Sequence, residues 1–355
     1  MHMELGSDFE LDLEELELRS DSIYHYLRHF HTVYMDSGRS AAAALHTLMD
    51  TGTILLPDYI CDSVIQIYKT GFQIKYYHIL EDFSVDLDDL MEKIDHSVTA
   101  LYLMHYFGMV QNEQVLACIR SAREKYGFLI IEDTTHSIFT KACTIGDYCI
   151  CSLRKWFAIT DGAVLYSKKD LSGLDLRYVP VKRITKKLTA MILKKLYIEE
   201  KLDCNQLYRG IFEEEERKLD HQKQIYQISD LSGSLLKNYS VSELIKKRKN
   251  NYRMLIGTLM KTRINIIFPS DGFVPLACPI YLDDRDRFRR YMSEHRVYCA
   301  VHWPLEKTDL YAFEDSRKKS EHMISLPVDQ RYGSEHMNYL RELLRDYRSM
   351  SIDSN

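Results

Sequence analysis

The sequence predicts an α/β protein: a large unit built on a mainly parallel sheet, followed by a smaller α+β unit at the C-terminal end. Three observations predict it. Short apolar runs without polar alternation recur between Thr53 and Tyr166, the pattern of strands buried on both faces. Helix-like segments separate these runs, as crossovers between parallel strands require. After residue 168 the strand signals give way to charged helical stretches, and they return from Gly272.

Taken in order, Ser40 to Met49 is Ala-rich and reads as a helix. Thr53 to Leu56 is an apolar run stopped by Pro57, Cys61 to Lys69 reads as a helix, and Phe72 to Ile79 as a strand. Leu87 to Ile94 is a short amphipathic helix and Thr99 to Tyr106 an aromatic strand. Glu113 to Tyr126 is a helix ended by Gly127, a residue that tolerates the left-handed stop. Phe128 to Ile131, Tyr148 to Leu153 and Ala163 to Tyr166 are further strands. The charge runs Glu213 to Arg217 and Lys246 to Lys249 read as solvated helix faces. Phe273 to Leu282 and Val297 to His302 read as strands around a helix, and Glu335 to Tyr347 as a final helix. The expected division is a large unit over 1–225, opening with an acidic arm over 1–20, and a small unit over 226–355.

Totals exclude several classes. The 355 residues suffice for two domains, and 45% apolar with 28% charged residues is ordinary for a soluble protein. A formal charge of −5, with no dominant block of Lys and Arg, predicts no nucleic-acid partner. No apolar run reaches the roughly 18–20 residues that cross a bilayer, so no membrane partner is expected. Met1 to Arg19 is acidic, unlike a signal peptide. The eight Cys are scattered, and Cys149 and Cys151 lack a zinc spacing. They predict reduced thiols in a cytoplasmic protein and no metal site.

Four features at element boundaries carry chemistry. Ser37-Gly38-Arg39-Ser40 opens the Ala-rich helix, where free N–H groups and the helix dipole suit a phosphate. Phe128 to Ile131 delivers Glu132-Asp133-Thr134-Thr135-His136 to the carboxyl end of a buried strand. Cys151-Ser152-Leu153-Arg154-Lys155-Trp156 leaves another strand, and Thr160-Asp161-Gly162-Ala163 turns into the next. Each feature alone is also what a helix cap, an acidic loop, a surface lysine or a plain turn gives; their order along the chain is the stronger signal.

In that order the sequence resembles the DegT/StrS family of sugar aminotransferases, which are fold-type-I transferases dependent on pyridoxal 5'-phosphate (PLP). The resemblance is closer over residues 34–170 than over 225–345. It implies that Lys155 forms the Schiff base with PLP and shuttles the proton, and that Asp133 keeps the pyridine nitrogen protonated. It implies that Gly38, Arg39, Ser40 and Ser152 hold the phosphate, and that His136 stands where the family's Gln lies beside the ring oxygen. Tyr59, in Pro57-Asp58-Tyr59, is the candidate for stacking on the cofactor. His105 of His105-Tyr106-Phe107-Gly108 and His302 of His302-Trp303-Pro304 are candidates for the substrate pocket; Ser325-Leu326-Pro327 is a further family landmark. Arg331 reads more simply as a surface ion pair, and Tyr106 and Tyr332 as packing residues.

Three departures stand out. Ser152 and Lys155 are closer together than in the family, Arg39 replaces a small hydroxyl residue, and His136 is titratable where the family has Gln. The function implied is amino transfer from glutamate to a nucleotide-linked keto sugar in polysaccharide or glycoconjugate biosynthesis, by a homodimer. Two alternatives stand beside it. One is another PLP enzyme on the scaffold, such as a sugar dehydratase or lyase, although dehydratase relatives carry His where Lys155 lies. The other is a non-catalytic relative that acts in binding or assembly.

Overall fold

A computed structural model describes residues 3–11, 17–262 and 264–352; part of the acidic arm, at 12–16, lies outside them. Twelve strands follow in chain order: β1 (Leu5–Gly6), β2 (His31–Met35), β3 (Gly52–Pro57), β4 (Phe72–Tyr77), β5 (Val98–Met104), β6 (Leu129–Asp133), β7 (Tyr148–Cys151), β8 (Ala163–Ser167), β9 (Asn265–Ile266), β10 (Cys278–Tyr281), β11 (Val297–Tyr298) and β12 (Met323–Leu326).

Seven of them form one sheet in the order β2-β8-β7-β6-β5-β3-β4. The run β7-β6-β5-β3-β4 is parallel, and β8 alone runs against both its neighbours. Its central strands are buried along nearly their whole length, because helices cover both faces. The helix Glu113–Tyr126 ends as expected, at Gly127 with φ +81°. β2 was not foreseen: at the sheet's edge its residues are mostly half-buried, and His31-Thr32-Val33-Tyr34 lacks a fully apolar run.

A three-stranded antiparallel sheet, β12-β10-β9, falls within the segment expected as the smaller unit. Strands here are shorter than read from sequence: the apolar stretch from Phe273 is chain leading into β10, and the one from Val297 is a strand only over β11, with one further bridge from Ala300 to Ser325 of β12. β11 runs parallel to β1, which ties the acidic N-terminal stretch to this end of the molecule. Glu10 and Arg331 pair there at 2.9 Å. Arg331 also meets Asp329 at 2.8 Å, and with its side chain 13% exposed the pairing is largely buried rather than on the surface. All eight cysteines are free, five of them buried. Among the described residues no helix is long and apolar enough to cross a membrane.

The charge run Lys246–Lys249 is not a solvated face throughout. Arg248 is 1% exposed. Its guanidinium lies 4.4 Å over the Trp156 ring and donates to Gln330 (2.9 Å) and to the Leu276 carbonyl (2.8 Å). Glu215, in the other run, is also buried.

Candidate active site

The carboxyl ends of β6 and β7 meet the N-terminal end of the helix Gly38–Thr47 around a cavity of about 290 Å³. Ligands on parallel sheets gather at this edge, because the loops leaving the strands diverge there. Gly38, Asp133, His136, Ser152 and Lys155 all line it.

At one end is the start of the helix Gly38–Thr47, open to a ligand. Ser37 caps the helix, its hydroxyl accepting from Ser40 N–H at 3.2 Å and its carbonyl from Ala41 N–H at 3.1 Å. The N–H groups of Gly38 and Arg39 precede any intrahelical acceptor, so they are left for a ligand. Gly38 allows close approach: a Cβ there would lie 3.4 Å from Ser152 Cβ. Ser152 is placed by its own N–H, which donates to Thr135 Oγ1 at 3.1 Å. The Arg39 guanidinium pairs with Asp220 at the rim. Ser40 is not part of the cavity wall; its hydroxyl is held by Asp36 and Gln222 beneath the turn.

At the other end lies Asp133. Within β6, alternation sends Glu132 and Asp133 to opposite faces. Asp133 faces the cavity and accepts from Tyr102 OH at 2.7 Å and from Thr135 N–H at 2.8 Å. Burial pushes its carboxyl up from the ordinary value, so a cationic N–H arriving from the cavity would be strongly favoured. Glu132 faces away. Burial works against its charge, but His105 at 3.1 Å and the N–H groups of Thr144 and Ile145 outweigh it and lower its pKa. His105 accepts from Gln111 N–H on its other nitrogen and is fully buried, so it is a satisfied core histidine and lies off both cavities at this site.

Lys155 stands between this cavity and a second one of about 310 Å³, and lines both. Its ammonium has no hydrogen-bond or ion-pair partner among the described residues. The short helical turn Leu153–Lys155 sets its position. The next residue, Trp156, anchors that turn by donating to the Thr135 carbonyl at 2.8 Å, with Arg248 over its ring. Neither sequence pattern nor motif pointed to Arg248; only its burial reveals it.

Two histidines flank the lysine. Burial holds His136 well below its ordinary pKa, with His302 and Lys155 adding to the effect. Its Nδ1 accepts from Phe107 N–H at 3.4 Å, which leaves the proton on Nε2. His302 is lowered to about 3, by burial first and then by Lys155. It lines the second cavity, its Nδ1 3.0 Å from Ser325 Oγ. Tyr59 is not on the cavity wall. It is fully buried behind Trp303, ring centroids 5.5 Å apart, with its hydroxyl donated to the His302 carbonyl. Besides His136, the rings on the wall are Tyr102 and Trp303, the latter stacked on His136 at 5.6 Å and 19°.

No family model and no curated protein matches this sequence. Solved structures do match. A DegT DnrJ EryC1 StrS aminotransferase from Brucella abortus is 13% identical over 96% of this chain and 91% of its own, with a TM-score of 0.67. DesV of S. venezuelae is 13% identical over 96% and 90%, with a TM-score of 0.66. NtdA from Bacillus subtilis, solved with bound cofactor PMP, is 17% identical over 96% and 78%, with a TM-score of 0.66. The chain has the fold-type-I aminotransferase fold.

That fold implies PLP, and the residues present fit it. A phosphate would meet two N–H groups without acceptors beside the Ser152 hydroxyl. A protonated pyridine nitrogen would meet the buried carboxylate of Asp133, whose charge burial disfavours. An aldehyde would meet the Lys155 amine, which has no other partner among the described residues. In this fold-type-I chain all three lie on one cavity.

Proposed function

We propose that the chain is a PLP-dependent aminotransferase that carries an amino group from glutamate to a nucleotide-linked keto sugar, in the biosynthesis of a polysaccharide or glycoconjugate. The observation that carries the reading is Lys155, an unpartnered amine between two cavities, one of them reaching Asp133 and the free helix start. A lysine kept only for solubility needs neither cavity.

Gly38 N–H, Arg39 N–H and Ser152 Oγ hold the phosphate, and Lys155 Nζ anchors the aldehyde carbon. Asp133 accepts from the pyridine nitrogen, while Tyr102 and Thr135 N–H fix the carboxylate's direction. His136 Nε2–H donates to the ring oxygen. Bound there, PLP supplies an electron sink for the pair left behind when the donor's α-carbon loses a proton. Lys155 Nζ would be the base that receives that proton. His302 stays neutral beside it and faces the second cavity, where the substrates enter. We also take the enzyme to be a cytoplasmic homodimer.

The test is spectral. PLP added to the protein gives a visible band that is lost in Lys155→Ala, and glutamate then changes the wild-type spectrum and releases 2-oxoglutarate. A protein that takes up no PLP, or whose bound PLP is unchanged by glutamate, contradicts the proposal.

A further inference from the structure

Each oxygen of the Asp133 carboxylate accepts one hydrogen bond. Thr135 N–H donates to Oδ1 at 2.8 Å and Tyr102 OH to Oδ2 at 2.7 Å. Sheet register brings the tyrosine there. Met104 of β5 stands opposite Asp133 of β6, and Tyr102 stands opposite Ile131. Alternation puts Tyr102, Met104 and Asp133 on one face, and all three line the cavity of about 290 Å³. A long side chain placed diagonally on β5 reaches the carboxylate, and the phenol does so. Tyr102 is fully buried, and its own carbonyl accepts from Tyr77 OH at 2.8 Å. Burial first, and then the charge of Asp133, holds its phenol well above the ordinary pKa, so it donates and does not ionise.

The other titratable groups near Asp133 are engaged elsewhere or have no bond to it. His105 is committed to Glu132 and to Gln111 N–H, and Tyr106 OH donates to the Tyr59 carbonyl at 2.6 Å. Burial above all keeps the Cys151 thiol protonated. Lys155 lines the same cavity and makes no ion pair with Asp133. Tyr68 packs edge-on against Tyr102, ring centroids 6.0 Å apart. Burial, and after it the charge of Asp133, raises its phenol too, yet its buried hydroxyl has no hydrogen-bond partner among the described residues.

We infer that Tyr102 is a positioning residue that acts through Asp133: its donated hydrogen bond keeps the carboxylate charged, and so leaves the ring proton on the pyridine nitrogen that docks against it. The site is buried, so water screens little there. A charged carboxylate facing a protonated nitrogen then competes with a neutral pair, formed when that proton crosses from nitrogen to the carboxylate oxygen. A donor on the carboxylate favours its charged form, and tips the competition toward the protonated ring. The inference deepens the aminotransferase reading and rests on it for the ring; the effect of Tyr102 on Asp133 rests on their hydrogen bond alone.

Two measurements on Tyr102→Phe and Tyr68→Phe test it. Each variant keeps its ring and removes one buried hydroxyl, and only the first removes a bond to Asp133. In cofactor-free protein labelled with 13C-aspartate, the carboxyl signal that is absent from Asp133→Asn reports Asp133. Tyr102→Phe should raise the pH at which that carboxyl takes up its proton by about one unit or more, because a donor to the charged form is lost. Tyr68→Phe should leave it in place. In protein loaded with PLP carrying 15N in its ring, wild type and Tyr68→Phe should both give the signal of a protonated nitrogen. Tyr102→Phe should move it toward that of a neutral nitrogen. A Tyr102→Phe carboxyl that titrates with wild type would overturn the inference. So would a ring signal that this variant leaves unmoved, or a Tyr68→Phe that shifts either signal as far. The carboxyl titration needs no cofactor, so protein that takes up no PLP would refute the aminotransferase reading separately.

Discussion

Replacing Asp133 by Asn isolates the charge at the floor of the cavity. The side chain keeps its shape, and its carbonyl oxygen can still accept from Thr135 N–H, now 2.8 Å away. What it loses is the negative charge opposite the pyridine nitrogen. Asp133 is 7% exposed, so water screens little of that interaction. At an effective dielectric of about 20, a charge pair some 4 Å apart is worth about 4 kcal/mol, which corresponds to roughly a thousandfold in rate if the pyridinium matters most as the donor's proton leaves. Asn also turns an amide N–H₂ toward Tyr102 OH, which must then accept rather than donate. Stopped-flow absorbance of PLP-loaded protein mixed with glutamate measures the step directly. Asp133→Asn should load PLP and react about a thousandfold more slowly than wild type. A variant that loads PLP and reacts within a few-fold of wild type would refute the role assigned to Asp133.

Other outcomes follow from the same geometry. Ser152→Ala should weaken PLP affinity by about tenfold in a spectral titration, because one hydroxyl donor to a dianion is lost; unchanged affinity would remove Ser152 from the phosphate seat. Arg248→Ala leaves the Leu276 carbonyl and Gln330 without their buried donor and should cost about 3 kcal/mol or more in urea unfolding, against under about 1 kcal/mol for a surface arginine. His302 binds its proton near pH 6.5 when unfolded but only near about 3 when folded. Between those values the unfolded chain holds the extra proton, so stability falls as pH falls through 6.5, and the loss is complete near 3. From pH 7 to 5 the wild type should therefore lose about 2 kcal/mol more stability than His302→Gln. Equal losses in the two proteins would contradict a buried neutral imidazole.

The sheet was legible because strands buried on both faces carry an unbroken apolar signal, as Leu129-Ile130-Ile131 does before Asp133. The same strand also settles which member of its acidic pair serves the cavity: alternation sends Asp133 one way and Glu132 the other, toward His105. Gly38, Arg39, Asp133, His136, Ser152 and Lys155 met on one cavity because loops leaving neighbouring parallel strands must converge, whereas His105 turned into the core. Ser40 and Tyr59 each missed the wall by one position, a distance that turn geometry decides and residue type does not; their neighbours Arg39 and Ile60 line it instead. Arg248 was hidden by its charged neighbours. In Lys246-Lys247-Arg248-Lys249 only one position faces inward, and its partners, Leu276 and Gln330, are supplied by distant chain. The short N-terminal strand β1 was unreadable for the same reason, since two residues make a strand only when β11 lies beside them.

Which amine meets the cofactor decides the chemistry of the site. Borohydride reduction of the PLP-loaded protein, followed by peptide mass mapping, fixes that point permanently. The pyridoxyl mass should appear on the peptide containing Lys155 and on no other lysine. Label on a different lysine, or protein recovered without label after its visible band has formed, would contradict the account.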